Sequence, residues 1–320
     1  MVKFDIKRNM TPQNIAEVTH LLDAVEKADN RKPLNDHLWI DLRQGGRPGF
    51  AGLTARHQHS GQPIAYCQIS RGNDSWALDL VVDPQHRKET LELGTALLGE
   101  ASKIISDEGG GHVHWWVFGA TSEHNELAEH INLHAGRALL QMHVSLPLTQ
   151  QLIATTKQVI TQSFRVGIDE DAWLTVNNRA FSSHSEQGGW TKQLLQSRQS
   201  EKWFNPNGFL LYFSGNNDEP APVAPALAAF CWTKIDRESD PKVGEIYVIA
   251  VDPQFHGQGL GKSLTVAGLN YLASAGATSG MLFVDEDNIA AIATYTKLGL
   301  TIRDRGQAFV GDIAPSSKQT

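Results

Sequence analysis

The sequence predicts a mixed α/β chain built from two related domains in tandem. Three observations carry this. Its 320 residues are about twice a common domain size. A pattern recurs, with LDLVVDPQHRKETLELGTAL at 78–97 and YVIAVDPQFHGQGLGKSLTV at 247–266. Each copy is an apolar run, then Val-Asp-Pro-Gln, then a helix-like segment. Strand-like and helix-like periods also alternate along both halves. A second pairing follows the first in the same order. Residues 114–136 parallel 281–299, setting Asn125 opposite Asn288 and Gly136 opposite Gly299. Two features in one order point to duplication of a whole domain. The polar stretch from Thr149 to Ser163 has no strong period, so the expected division is 1–150, a linker at 151–163, and 164–320.

The first half reads as helices at 12–29 and 34–43, strands at 50–57, 62–70 and 76–82, a helix from about 88, a strand at 112–118 and a helix from about 124. In the second half, DEDAWLTVNNRAF (169–181) reads as helix despite Asn177 and Asn178, which are weak helix formers. Strands follow at 208–214 and 226–235, separated by the Gly/Asn/Pro-rich loop GNNDEPAPVAP. EIYVIAV (245–251) is a strand rich in β-branched residues. A helix over 258–274, the strand GMLFVDE, a helix over 288–297 and one or two strands in LTIRDRGQAFVGDI complete the chain.

Composition excludes several function classes. Hydrophobic residues at 41% and charged residues at 20% describe an ordinary globular chain. A net charge of -7 without any basic run argues against a nucleic-acid partner. Cys67 and Cys231 sit in apolar strand-like runs and are expected buried and unpaired, which suits a reducing cytoplasm. MVKFDIKRNM lacks an apolar signal core, and no run approaches the roughly 20 apolar residues of a membrane span. A soluble, cytoplasmic monomer with no membrane partner is expected. His112 and His114 alternate on one strand without a convincing third ligand, so no metal is expected. Trp115 and Trp116 read as core and interface residues.

The most informative segment is the turn from Val251 to Lys262. A strand ends at Val251 and Pro253 marks the turn. Gly257, Gly259 and Gly261 then alternate into a helix start. Unpaired N–H groups and the positive dipole end make such a start a seat for a pyrophosphate. The spacing is not that of the dinucleotide fingerprint. Nor is it a P-loop, because His256 stands where that motif needs its first glycine.

This segment resembles motif A of the GNAT superfamily, Arg/Gln-x-x-Gly-x-Gly/Ala, with His256 in place of the usual Arg or Gln. The resemblance implies, in each half, a mixed, mostly antiparallel central sheet flanked by helices. It also implies acetyl-CoA as co-substrate. Its pyrophosphate would sit on amides of Gly257, Gln258, Gly259, Leu260, Gly261 and Lys262, and Ile249, Ala250, Val251 and His256 would also bind the cofactor. Asn288, Ile289, Ala290, Ala291, Ile292 and Ala293 would line the thiol end. Four segments narrow the match: AFSSHSEQGGWT (180–191), Trp232-Thr233-Lys234, GEIYVIAVDP (244–253) and FVDEDNIAAIATYTKLG (283–299). Together they resemble the mycothiol synthase family, which acetylates the cysteine amine of cysteinyl-glucosaminyl-inositol in the last step of mycothiol biosynthesis.

Attack on a thioester needs a neutral amine, and such an α-amino group titrates near ~7.7–8.0. Glu245, at the start of the strand before the turn, is the candidate base; the alternative is a solvated strand-end carboxylate. Tyr295 is the candidate acid for the leaving thiolate. It lies seven residues beyond Asn288, close to two helical turns; the alternative is a packing tyrosine. A backbone N–H near Ile249 to Val251 would polarise the carbonyl. The resemblance assigns Asp36, Glu186, Lys234 and Glu245 to the substrate. Asp36 would close the site from the first domain. Phe283 stands where a substrate-contacting Tyr can occur. Alignment at Val-Asp-Pro-Gln sets Arg87 opposite His256 but replaces the glycines by Lys88, Thr90 and Glu92, and sets Asn132 opposite Tyr295. The first domain therefore reads as a degenerate copy, with a second cofactor site at Leu80, Val81 and Val82 left open. Two other functions compete: acetylation of a different amine, such as an aminoglycoside or a protein N-terminus, and a non-catalytic acetyl-CoA sensor.

Overall fold

The computed structural model describes residues 2–72, 75–182, 187–215, 226–235 and 242–316. In chain order it contains β1 (Val2–Lys7), α1 (Pro12–Asp29), α2 (Asp36–Arg43), β2 (Phe50–His57), β3 (Pro63–Arg71), β4 (Trp76–Val82), α3 (Thr90–Asp107), β5 (Gly111–Phe118), α4 (Ser122–His130) and β6 (His134–Ser145). There follow α5 (Gln150–Ala154), β7 (Gln162–Ser163), α6 (Glu170–Ala180), α7 (Lys192–Gln199), β8 (Phe209–Phe213), β9 (Leu227–Ile235), β10 (Val243–Val251), α8 (Leu260–Ser274), β11 (Ser279–Asp285), α9 (Ile289–Lys297) and β12 (Thr301–Ile313).

Two compact units result: Met1–Ala138 with Arg305–Thr320, and Leu139–Asp304. The expected boundary was a linker at 151–163; the division instead falls inside β6 and β12. Strand pairing is the reason. Leu139–Ser145 of β6 runs antiparallel to β11, while Gly306–Ile313 of β12 runs antiparallel to β5. Each unit thus completes its sheet with a strand from the far end of the other half of the sequence. The expected linker holds the short helix α5, capped by the Thr149 side chain. Strands β1, β6 and β7 and helix α7 are additions to the expected elements, and the C-terminal segment is one strand.

In the first unit the strand order is β1-β2-β3-β4-β5-β12, antiparallel except for β4 against β5. Leu53, Cys67, Ile69 and Trp115 meet Leu97 and Leu98 of α3 on one face. Phe50, Tyr66 and Val81 meet Leu22 of α1 and Leu38 of α2 on the other. In the second unit the order is β6-β11-β10-β9-β8-β7, antiparallel except for β10 against β11. Cys231, Ile246 and Leu282 pack on Leu264 and Leu269 of α8. Phe209, Phe230, Trp232 and Val248 pack on Trp173 of α6 and Leu195 of α7. Both units are therefore mixed, mostly antiparallel sheets covered by helices on two faces. Cys67 and Cys231 are free and buried, and burial pushes both thiols up.

The duplication has a structural counterpart. Asp83 and Asp252 end matching strands with nearly the same backbone angles, φ -50°, ψ 133° and φ -56°, ψ 133°. Each carboxylate accepts the N–H two residues on, Gln85 at 2.8 Å and Gln254 at 3.0 Å. The second pairing needs correction. Asn132 follows α4 at φ 59°, and Gly299 follows α9 at φ 87°, each in the left-handed turn that ends a helix. The hydrogen bonds also match: Leu133 N–H reaches Ala128, and Leu300 N–H reaches Tyr295. Asn132 is therefore the counterpart of Gly299, and Ala128 that of Tyr295. Asn and Gly both tolerate this conformation, so matching residue identities shifted the alignment. Asn132→Ala is expected to destabilise the chain by about 1 kcal/mol, and Asn132→Gly to stay within about 0.5 kcal/mol of wild type. Thermal melts of the two variants provide the check.

Candidate functional site

Strands β10 and β11 are hydrogen-bonded neighbours only at their beginnings, Val243–Ile246 against Ser279–Leu282. β10 continues to Val251 and β11 to Asp285, so the two diverge and open a gap. Backbone groups of β10 on that side lie outside the ladder, and they are obligatory hydrogen-bonding groups. A bulge marks the divergence. Ile246 pairs with Thr233 but Val248 pairs with Trp232, leaving Tyr247 as the extra residue. As a result Ile246 faces α8, whereas Tyr247 and Val248 face α6 and α7.

At the far end of β10, Asp252 is buried and holds Arg179 of α6 at 2.8 Å besides capping Gln254. The chain then turns through Pro253–Phe255 into α8. Gly257 and Gly259 have φ of 80° and 75°, which explains both glycines by backbone conformation. Gly261 is different. Its φ is not in the left-handed region, and a Cβ there would meet nothing nearer than Val251 Cγ2 at 3.9 Å. The fold has no need of a glycine at 261, whereas a ligand lying against the backbone would. The first N–H groups of α8 have no intrahelical partners and point out of its N-terminus. The His256 ring turns back, its Nε2–H donating to Val251 O at 3.0 Å. Arg179→Met removes the cation from a buried carboxylate at this turn. It is expected to cost about 1–3 kcal/mol of stability and to raise KM for the ligand of the turn, read from a thermal melt and steady-state kinetics.

Asn288 is the N-cap of α9. Its Oδ1 accepts from Ala291 N–H at 3.1 Å, so its side chain shapes the helix start. α9 is strongly apolar yet buries only Tyr295, and Ile289 is 70% exposed. Ala290 and Ala293 are exposed as well, while Ala291 and Ile292 pack partly against the α8 cluster. Burial pushes the Tyr295 hydroxyl up to about 12, with Cys231 adding in the same direction. Tyr295 belongs to the α8 cluster, on the opposite face from Glu245.

The Glu245 face is ordered by register. Lys234, Glu245, Met281 and His143 stand in one row across β9, β10, β11 and β6. Phe283 lies two residues beyond Met281 on the same face and is exposed. Lys234 Nζ is 4.0 Å from Glu245 Oε2, with both side chains mostly buried. The ammonium also lies 5.1 Å from the Trp203 ring centre and 5.6 Å from that of Tyr247. Trp203 and Tyr247 are site residues that sequence reasoning missed. The bulge that turns Tyr247 inward leaves no local signal, and Trp203 comes from the irregular segment after α7. Glu186 lies outside the described residues. Asp36 opens α2 in the first unit, and its side chain is likewise outside them.

The matching region of the first unit is built differently. β4 pairs with β5 only over Trp76–Leu78, so these strands diverge too. Here the Leu80 N–H is taken by Asp79 Oδ1 at 2.9 Å. Burial raises the Asp79 carboxyl well above the usual range, against the pull of that amide and of Arg31. Arg31 donates to Phe118 O at 3.2 Å and lies 5.2 Å over the Phe118 ring. A 3-10 turn over Pro84–Glu89 runs straight into α3, and Arg87 is paired with Asp29 at 2.6 Å. His112 and His114 lie within hydrogen-bond distance of Asp312 and Ser75.

Residues 172–300 match the model of the acetyltransferase (GNAT) family. The chain is 38% identical over 296 residues to a mycothiol acetyltransferase of Thermobispora bispora, covering 91% of this chain and 94% of that one. It is 36% identical over 298 residues to that of Salinispora arenicola, covering 91% of each. Among solved structures, a GCN5-related N-acetyltransferase from Sphaerobacter thermophilus matches with a TM-score of 0.71 at 19% identity, covering 98% and 97%. A tandem GNAT protein from the clavulanic acid biosynthesis pathway matches at 0.70 and 15%, covering 99% and 100%. Both likenesses bear on the fold. Among the described residues, no helix is long and apolar enough to cross a membrane.

Proposed function

Since the chain belongs to the mycothiol acetyltransferase family, we propose that it moves the acetyl group of acetyl-CoA to the cysteine amine of cysteinyl-glucosaminyl-inositol. It is an acetyl-transferring enzyme with a small-molecule substrate. The observation that carries the site reading is the order along β10: Glu245, then the bulge and the diverging edge, then the glycine turn.

The residues suit acetyl-CoA. The amides from Gly257 to Lys262, with the Lys262 charge, take the pyrophosphate, and Gly261 admits it against the backbone. The β10 edge from Ile249 to Val251 offers backbone partners to the pantetheine amides. The apolar start of α9, Asn288 to Ala293, covers the arm. Glu245 accepts the proton of the substrate ammonium, and the freed amine attacks the thioester carbonyl. A β10 backbone N–H meets the developing oxyanion. Collapse expels the CoA thiolate, which takes a proton from the Tyr295 hydroxyl; the new amide nitrogen loses its second proton to solvent, and the tyrosine oxygen regains its proton from solvent. Glu245 and Tyr295 come from opposite faces, and the gap between β10 and β11 is where one thioester is reached from both. Lys234 and Phe283 stand on the acceptor side, and the family resemblance assigns Asp36 and Glu186 to the same substrate. Asp79 and Arg31 occupy the corresponding part of the first unit, so that unit is read as structural and Leu80–Val82 as no second cofactor site. A cytoplasmic monomer acting without metal or nucleic acid completes the reading.

The test compares cysteinyl-glucosaminyl-inositol with glucosaminyl-inositol, each supplied with acetyl-CoA and the products identified by mass. Acetylation of the first at its cysteine nitrogen, with the second left unchanged, is expected. Equal turnover of both would point to a different amine as the acceptor.

A further inference from the structure

The Lys234 side chain has four rotatable carbons, and holding its ammonium in one place costs conformational freedom. Its neighbours supply a reason for it to stay. The Trp203 and Tyr247 rings meet at 5.0 Å and 61°, forming a corner, and the ammonium lies over both faces within the range of cation–π attraction. The corner is itself backed by fixed groups. Trp203 and Tyr247 lie 5.8 Å and 5.3 Å from Trp232, which is fully buried and stacks on Phe209 at 4.3 Å. At 4.0 Å, Glu245 Oε2 is beyond direct hydrogen-bond distance of the ammonium. The carboxylate and the ammonium thus stand side by side.

We infer that Trp203 is a positioning residue of the acceptor site, forming with Tyr247 an aromatic corner that fixes the Lys234 ammonium beside Glu245. The inference rests on the reading of Lys234 and Glu245 as acceptor-side groups. Without Trp203 the ammonium loses one of the two ring faces it lies over, and its position beside the carboxylate is less well defined. Trp203 itself touches no reacting atom; it acts through Lys234.

A double-mutant cycle on the full chain tests this, read as kcat/KM for cysteinyl-glucosaminyl-inositol. Trp203→Leu is expected to lower kcat/KM about tenfold, and Lys234→Met by at least as much. On the Lys234→Met background, Trp203→Leu should cost less than about twofold, because the ring has no ammonium left to hold. Trp203→Phe should recover most of the activity. Affinity for acetyl-CoA, measured by calorimetry, should stay at the wild-type value throughout, which a loss of fold would not permit. If the leucine variant does not fold, Tyr247→Leu repeats the cycle with the same expectation. Losses that multiply in the double variant, or a Trp203→Leu enzyme as active as wild type, overturn the inference while leaving the functional reading intact. A wild-type chain that does not acetylate the amine overturns both.

Discussion

Tyr295→Phe is expected to lower kcat by about 10²–10⁴-fold, the usual contribution of a positioned general acid. Affinity for acetyl-CoA should change by less than about twofold, because the ring and its packing remain. Only the hydroxyl is lost, and with it the proton source proposed for the leaving thiolate. The pH dependence follows from burial. The Tyr295 hydroxyl is pushed up to about 12, so the protonated, donating form is present throughout the neutral and alkaline working range. It is lost only as pH rises through about 12. An ordinary phenol, with a pKa near ~10, would be half ionised at about pH 10. The wild-type kcat should therefore show no alkaline fall from this group between about pH 8 and 10. Steady-state kinetics of both enzymes across that range decide it. A phenylalanine enzyme with undiminished kcat would mean that the thiolate takes its proton from water.

Glu245→Gln should lower kcat/KM by about 10²–10⁴-fold near pH 6 and by much less near pH 9. The amine of the acceptor is mostly protonated at the lower pH and mostly neutral at the higher one, given a pKa near ~7.7–8.0. A base is needed only in the first case. The glutamine keeps the shape and the hydrogen-bonding capacity of the side chain while removing its basicity. Lys234, 4.0 Å from the carboxylate, loses the partner charge in the variant, and that loss is the same at both pH values. The pH-dependent part of the effect therefore isolates proton transfer. An equal loss at pH 6 and pH 9 would assign Glu245 to binding.

Most of the local structure was legible in the sequence because it is written locally. The β-branched run 245–251, the Pro253 turn and the alternating glycines each carry their own physical signal, and strand, turn and helix follow in that order. The duplication was legible for the same reason at Asp83 and Asp252, which build the same turn twice. What stayed hidden is long-range. Leu139–Ser145 could complete either unit by its pattern alone, and the choice of β11 as partner depends on residues about 140 positions away. The bulge at Tyr247 is likewise a property of the pairing with β9. It decides which side chains share the face of Glu245, and so Tyr247 and Trp203 came to light only with the fold. Asn132 was misaligned because a left-handed turn accepts asparagine and glycine alike, and identity at such a position is weak evidence of equivalence.

We propose one acetyl-CoA site per chain, at the glycine turn of the Leu139–Asp304 unit. Titration calorimetry of acetyl-CoA into the wild type and Gly261→Glu tests it most directly. Position 261 is the informative one, because Gly259 has φ 75° and any side chain there would also strain the backbone. At 261 a Cβ has room and the backbone an ordinary conformation, so a glutamate variant should fold normally while placing a negative charge at the proposed pyrophosphate site. One equivalent bound by the wild type is expected, with a loss of at least about 100-fold in affinity for Gly261→Glu. Two equivalents per wild-type chain, or a Gly261→Glu variant that binds as tightly as wild type, would contradict it.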